Sequence, residues 1–257
     1  MSTVSVVMPV HDAEATLAAS IDSVRGQSHE DWQLILVDDA STDASLEIAE
    51  AAAADDARIE LHRLTTQAGA AVARNTAIDR SRGRYVAFCD ADDLWLPTKL
   101  ERQLAHAAAT ASPLTFTSYA KIHGSAVVDP RTWSGSERIV HARDVVTYKD
   151  LRLQNFIGCS TAMYDTEEFG KRRMPLIDRR QDYGLWLDLL RDGAVARGLD
   201  ETLVLYREGG RSSLSSNKLK AASYNWRIYR DVEGWSLPVS VFAFASYAVR
   251  SALKSRI

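Results

Sequence analysis

Asp90, Asp92 and Asp93 close the run Arg84-Tyr-Val-Ala-Phe-Cys-Asp-Ala-Asp-Asp-Leu-Trp-Leu-Pro97, so three carboxylates follow one short apolar stretch. Three anions within four residues repel one another, and a cation or several hydrogen-bond donors would relieve that repulsion. Hard carboxylate oxygens suit Mg²⁺ or Mn²⁺, which usually share such sites with substrate phosphates. A solvated acidic turn capping a helix that starts near Pro97 would use the same residues. Asp12 and the pair Asp38-Asp39 also follow apolar runs, 4–10 and 32–37. One acidic strand end means little; several in one open sheet converge on the edge where ligands gather.

The elements that must carry these acids read as alternating strands and helices. Val4–Val10 is a strand, followed by a helix with Leu17, Ile21 and Val24 on one face. A strand over 32–37 leads to an Ala-rich helix reaching about Ala54. A strand over 59–64 leads through Gly69 to a helix ending near Ser81. Tyr85–Cys89 is a buried strand, Pro97 to about Thr110 a helix and Leu114–Tyr119 a strand. This spacing predicts right-handed crossovers and a mostly parallel sheet flanked by helices, an α/β fold. The alternation breaks over 121–146, where Gly124, Pro130 and Gly135 suggest an irregular or hairpin segment. Strands are expected over 155–164 and 203–206, with a helix from about Asp182 to Leu190 carrying Leu185, Trp186 and Leu189 inward.

The 257 residues suffice for one large domain or two small ones, with 46% apolar and 25% charged residues as in ordinary globular proteins. A net charge of −3 gives no general affinity for nucleic acid. Cys89 and Cys159 read as buried hydrophobes of a reducing compartment. The first residues lack the pattern of a signal peptide, so a cytoplasmic address is expected. The six histidines show no metal-ligand spacing, and Trp95 and Trp186 read as core.

Taken together, Met8-Pro9-Val10 with Asp12, Val37-Asp-Asp-Ala-Ser-Thr-Asp43, Gly69 with Ala73-Arg-Asn75, Phe88-Cys-Asp-Ala-Asp-Asp-Leu-Trp95 and Arg180-Gln-Asp-Tyr-Gly-Leu-Trp186 resemble the family 2 glycosyltransferases with the GT-A fold. The resemblance implies a catalytic domain over about 1–210, with a nucleotide-binding half to about 120, an acceptor half to 210 and a C-terminal helical extension over 211–257. It implies a nucleotide site formed by Pro9, Val10, Asp12, Asp39, Ser41, Arg74 and Asp90, with Asp39 on the base and Arg74 near the nucleotide, where a guanidinium can offset phosphate charge. Asp92, with Asp90, would hold Mn²⁺ or Mg²⁺, and Asp93 would touch the donor sugar. Asp182 matches the position of the base that deprotonates the acceptor hydroxyl, although relatives with Glu-Asp there have one carboxylate more than Gln181-Asp182. Read without the resemblance, Asp182 caps the helix that follows.

On this reading the protein moves one sugar from a nucleotide-diphosphate sugar, UDP-linked by expectation, to a glycan or lipid-linked saccharide in surface polysaccharide synthesis, with inversion. The processive Gln-x-x-Arg-Trp pattern is missing. A haloacid-dehalogenase-type phosphatase, a sugar nucleotidyltransferase and an inactive membrane-docked scaffold are the competing readings. Arg207, Arg211 and Ser212–Lys218 could form a basic lid or a solvated loop. The segment 236–249, too short to span a bilayer as a helix, suits either an anionic cytoplasmic membrane surface or packing on the catalytic domain. Homo-oligomerisation is left open.

Overall fold

The computed structural model describes residues 4–124, 127–135, 137–208 and 218–254. Its first half keeps the predicted alternation: β1 (Val4–Val10), α1 (Leu17–Arg25), β2 (Trp32–Asp38), α2 (Ser45–Asp55), β3 (Ile59–Arg63), α3 (Ala70–Arg80) and β4 (Tyr85–Phe88). β1 pairs in parallel with β2 on one side and β4 on the other, and β2 pairs in parallel with β3. Strand order, not strand direction, therefore reverses at β1, so the carboxyl ends of β1, β2 and β4 open onto one crevice.

Both faces of these strands are buried, which is why they read as continuous apolar runs. Val6, Met8, Leu34 and Leu36 pack in one cluster with Leu17 and Ile21 of α1. Val7, Ile35, Val37 and Phe88 pack in the other with Ala73, Ala77 and Trp186.

The acids after β4 do not run directly into a helix. A short strand, β5 (Leu94–Trp95), intervenes before α4 (Lys99–Thr110). β6 (Leu114–His123) is longer than its apolar core suggested, and the irregular segment supplies β7 (Arg138–Val140) and β8 (Val145–Val146). The expected strand over 155–164 is mostly loop. After the helical turn α5 (Tyr148–Leu151), a 3₁₀ turn (Cys159–Thr161) precedes β9 (Met163–Asp165), which is followed by the turn α6 (Thr166–Phe169). α7 (Gln181–Leu190) leads to β10 (Ala196–Glu208), which begins seven residues before the expected Leu203. Its first half was hidden because Asp200 and Glu201 fall at a break in its register with β6.

The sheet order is β3-β2-β1-β4-β9-β6-β10-β5, with β7 on β6 and β8 on β10. β9 inserts antiparallel between β4 and β6, while β6 and β10 run parallel. This is the mixed, mostly parallel sheet expected of the fold class.

The C-terminal elements are α8 (Lys218–Arg227), a π turn (Ile228–Val232) and α9 (Leu237–Lys254). They pack on the body: Ile228, Tyr229 and Ala243 belong to the core cluster of Trp186 and Tyr183. The Glu233 carboxylate, with no exposed side-chain surface, accepts from Tyr148 Oη at 2.6 Å and Arg191 Nη2 at 2.8 Å. Trp235 stacks on Tyr229, with ring centroids 4.9 Å apart. Most of the expected lid, Arg211–Asn217, lies outside the described residues, as do the side chains of Arg250, Lys254 and Arg256 at the basic end.

Candidate active site

The loops after β1 and β2 lock onto each other. Asp12, in a left-handed conformation (φ 46°), accepts from Thr42 N at 2.8 Å, and its own amide donates to Ser41 Oγ at 3.2 Å. Ala13 N donates to Ser45 Oγ at 2.7 Å, and Asp39 N donates to Val10 O at 2.8 Å. Asp39 is almost fully buried, and its two oxygens accept the amides of Ala68 (2.6 Å) and Gly69 (2.8 Å). Gly69 sits at φ 91° immediately before α3, a conformation that L side chains rarely adopt. Asp39 thus fixes the start of α3. His11 Nδ1 lies 2.9 Å from Asp39 O and its Nε2 lies 2.8 Å from Gln67 Nε2, which places an imidazole in this corner that sequence spacing did not single out. Pro9 is half-buried, whereas Val10 has no exposed surface and its carbonyl accepts from Asp39 N.

One carboxylate oxygen from each of Asp90, Asp92 and Asp93 lies within 4.8 Å of the others. Ser160, on the 3₁₀ turn, braces the cluster: its hydroxyl accepts from Asp90 N (3.1 Å) and donates to Asp93 Oδ2 (2.5 Å). Trp95 Nε1 in turn donates to Ser160 O at 2.9 Å, so this fully buried tryptophan is scaffold, as its sequence context suggested. Arg207 N donates to Asp93 Oδ1 at 3.0 Å. With both oxygens engaged and no exposed surface, Asp93 braces the cluster from behind. Burial and the charges of Asp92 and Asp90 push its carboxyl well above the usual range. Asp92 reaches solvent, yet the protein around it and the neighbouring Asp90 push its carboxyl up to about 6. Carboxyls raised in this way are short of positive charge, and three hard oxygens this close fit a divalent cation.

Arg74 links this cluster to the far side of the crevice. It is 8% exposed, and its Nη2 lies 2.5 Å from Asp90 Oδ1. Burial opposes its charge, but Asp90, Cys159 and Asp182 outweigh that and raise its pKa. One edge of the guanidinium is thus paired with Asp90, the acid nearest it in the cluster.

The neighbouring Asn75 holds the chain that leads to α7: Met174 N donates to its Oδ1 at 2.7 Å, and its Nδ2 donates to Met174 O at 2.9 Å. Pro175 then lies against Gly184 so closely that a Cβ there would come within 2.5 Å of its ring. These two contacts, made by Asn75 and Gly184 of the recognised motifs, set the position of α7 and hence of Asp182.

Asp182 is the second residue of α7, half-buried in the crevice. Arg180 occupies the N-cap in a left-handed conformation (φ 67°) and makes no side-chain cap. That backbone costs about 1–2 kcal/mol for a residue other than glycine. Burial raises the Asp182 carboxyl; Arg180, then Arg74 and the amide of Tyr183, hold it down, and Asp90 adds to the rise. A half-buried carboxyl raised above its ordinary value is a better proton acceptor than a free one.

The sequence profile described as "Glycosyl transferase family 2" matches residues 5–166. TuaG of Bacillus subtilis, named for teichuronic acid biosynthesis, is 39% identical over 254 residues, 99% of this chain and 97% of its own. The Escherichia coli protein WfgD, a UDP-Glc:α-D-GlcNAc-diphosphoundecaprenol β-1,3-glucosyltransferase, is 32% identical over 229 residues, covering 89% of this chain and 85% of its own. Among solved structures, S. aureus TarS residues 1–349 with UDP-GlcNAc superimposes with a TM-score of 0.71 at 18% identity, over 96% of this chain and 72% of that one. The mannosyltransferase PcManGT of Pyrobaculum calidifontis, in complex with GDP-Man and Mn²⁺, gives 0.67 at 17% identity, over 99% of this chain and 75% of that one.

Proposed function

The chain belongs to glycosyltransferase family 2, and on that premise we propose that it transfers one sugar from a UDP-sugar to a hydroxyl of a lipid-linked saccharide, with inversion at the anomeric carbon. The single observation that carries this reading is the acidic cluster itself: Asp90, Asp92 and Asp93 present oxygens within 4.8 Å of one another after β4, with Arg74 paired to Asp90. Membership in the family sets aside the phosphatase and nucleotidyltransferase readings. The inactive-scaffold reading has nothing in its favour while Asp90, Asp92 and Asp182 all stand in the crevice.

In this reading Asp39, His11 and the loop at Pro9–Asp12 receive the base and ribose, with Ser41 fixing that loop from behind. Asp39 serves as a rigid acceptor, because the amides of Ala68 and Gly69 already fix its carboxylate and each oxygen keeps a lone pair. Asp92 and Asp90 would hold Mn²⁺ or Mg²⁺, which supplies positive charge to the diphosphate leaving group. Ser160, Trp95 and Asp93 keep those two carboxylates in place. Asp182 takes the proton from the acceptor hydroxyl as that oxygen attacks the anomeric carbon from the face opposite the diphosphate.

The UDP-sugar and the lipid-linked acceptor are inferred from the substrates that name WfgD and from the nucleotide bound to TarS. Thermal shift against a panel of nucleoside diphosphates with Mn²⁺ tests the donor. UDP should stabilise the protein by about 2.7 kcal/mol at a hundredfold excess over its dissociation constant. GDP producing the larger shift would overturn the assignment of the base.

The domain assignment, a catalytic unit to about 210 with a C-terminal extension, is part of the same proposal, as is membrane docking by the extension. No helix among the described residues is long and apolar enough to cross a membrane. α9 buries Ser240 and Ala243 against the body but leaves Leu237, Val241 and Phe242 more than half exposed. An apolar helix face outside the core fits the interfacial layer of a bilayer beside a lipid-linked acceptor. Flotation with anionic liposomes should carry the intact protein upward and leave the triple variant Leu237→Ser, Val241→Ser, Phe242→Ser at the bottom. Equal flotation of the two, or of neither, would contradict docking through this face.

A further inference from the structure

Lys99, the first residue of α4, has no exposed surface. Its ammonium carries three donors, yet Nζ is shielded from solvent and has no hydrogen-bond partner among the described residues. A cation in this position is costly twice over: burial strips its hydration, and the first turn of a helix presents the positive end of the helix dipole. A methionine would fill much the same volume without either cost. What the ammonium does meet is the indole of Trp95, with Nζ 3.7 Å from the ring centroid. Out of water, the face of a tryptophan attracts a cation more strongly than any other aromatic side chain.

Trp95 is the route from Lys99 to the acids. Its Nε1 donates to Ser160 O at 2.9 Å, and the Ser160 hydroxyl accepts from Asp90 N at 3.1 Å and donates to Asp93 Oδ2 at 2.5 Å. One helical turn on from Lys99, the buried Gln103 uses Nε2 to donate to Thr161 O at 3.1 Å. The buried face of α4, with the tryptophan seated against it, thus holds the Ser160 and Thr161 carbonyls of the 3₁₀ turn that braces the cluster.

We propose that Lys99 is a positioning residue for the acidic cluster: its ammonium, set on the face of Trp95, holds the indole where Nε1 grips Ser160, and so keeps the carboxylates that follow β4 spaced for a divalent cation. The inference rests on the metal reading of that cluster. A role for the lysine stem in packing alone would need no charge, and the two roles rank substitutions differently.

The test compares three variants of the full chain. Lys99→Met keeps the stem and removes the cation, Lys99→Arg keeps a cation and adds bulk, and Trp95→Phe keeps an aromatic face and removes the donor to Ser160. By calorimetry, Lys99→Met should bind UDP with Mn²⁺ roughly 10- to 100-fold more weakly than the natural protein, with its affinity for UDP in EDTA unchanged. It should also fold at least as well. A methionine variant that fails to fold would overturn the proposal, because the ammonium would then serve folding and not the site. Lys99→Arg should keep more of the Mn²⁺-dependent affinity than Lys99→Met; the opposite ranking would show that shape matters and charge does not, and would overturn the proposal as well. Adding Lys99→Met to Trp95→Phe should cost no more than Trp95→Phe alone, because the lysine acts through the indole N–H, and additive losses would contradict that route. In the metal-free protein, nitrogen-15 NMR should show faster exchange of the Trp95 indole hydrogen in Lys99→Met, with Trp95→Phe identifying the signal. An unmoved exchange rate would overturn the proposal. Should the natural protein bind UDP equally with Mn²⁺ and with EDTA, the metal reading itself falls, and the exchange rate alone decides whether Lys99 holds Trp95.

Discussion

Replacing Asp182 with Asn should lower transfer by about 10²- to 10⁴-fold while leaving nucleotide binding unchanged, because a base acts on the acceptor and not on the donor. The same substitution should leave the melting temperature unchanged or raise it. The sign follows from the shift: the folded protein holds this carboxyl above its ordinary value, so at neutral pH its charge is a burden on the native state, and a neutral amide removes that burden. A helix-capping role predicts the opposite, since losing a cap costs about 1 kcal/mol. Arg180 holds the N-cap position without a side-chain cap, so any capping by Asp182 would come through the Tyr183 amide in the first turn. A variant that melts earlier and still transfers at saturating acceptor would return Asp182 to a structural role.

Asp92→Asn is the second substitution with a large expected effect. Asp92 is the most exposed of the three clustered acids, and its carboxyl sits at about 6 because protein surrounds it and Asp90 repels it. The asparagine relieves that repulsion, so the metal-free protein should be at least as stable as the natural one. It also removes one of the hard anionic ligands. The stabilisation by Mn²⁺ with UDP, about 2.7 kcal/mol at a hundredfold excess, should then be lost, as should transfer. Thermal melts with and without Mn²⁺ and UDP check both halves. A variant that keeps the full Mn²⁺-dependent stabilisation would place the metal elsewhere.

Much of this site was legible before the structure because its acids follow strands buried on both faces. Runs such as Val4–Val10 and Tyr85–Phe88 announce themselves as uninterrupted apolar segments, and a parallel sheet brings their ends to one edge. What was not legible depends on contacts between distant segments. Ser160 braces Asp90 and Asp93 from about 70 positions away, and its own stretch reads as a strand by composition although its backbone forms a 3₁₀ turn. Asp93 was expected at the sugar from the resemblance; that the Ser160 hydroxyl and the β10 backbone at Arg207 hold its carboxylate needed the tertiary structure. Arg74 was expected near the nucleotide from the resemblance, and its ion pair with Asp90 became visible only in the fold. β10 was half-hidden because its register breaks at Asp200 and Glu201, and the left-handed backbone of Arg180 carries no signal in a sequence that lacks glycine there. The fold class needed only local patterns; the electrostatic balance of the crevice needed the tertiary structure.

The central claim, that the acidic cluster binds a nucleoside diphosphate through a divalent cation, is tested most directly by calorimetric titration of the full-length protein with UDP, once with Mn²⁺ and once with EDTA. A diphosphate brought against Asp90, Asp92 and Asp93 without a cation meets like charge, so the affinity with Mn²⁺ should exceed that with EDTA by at least about tenfold. Equal affinity in the two titrations would contradict the account.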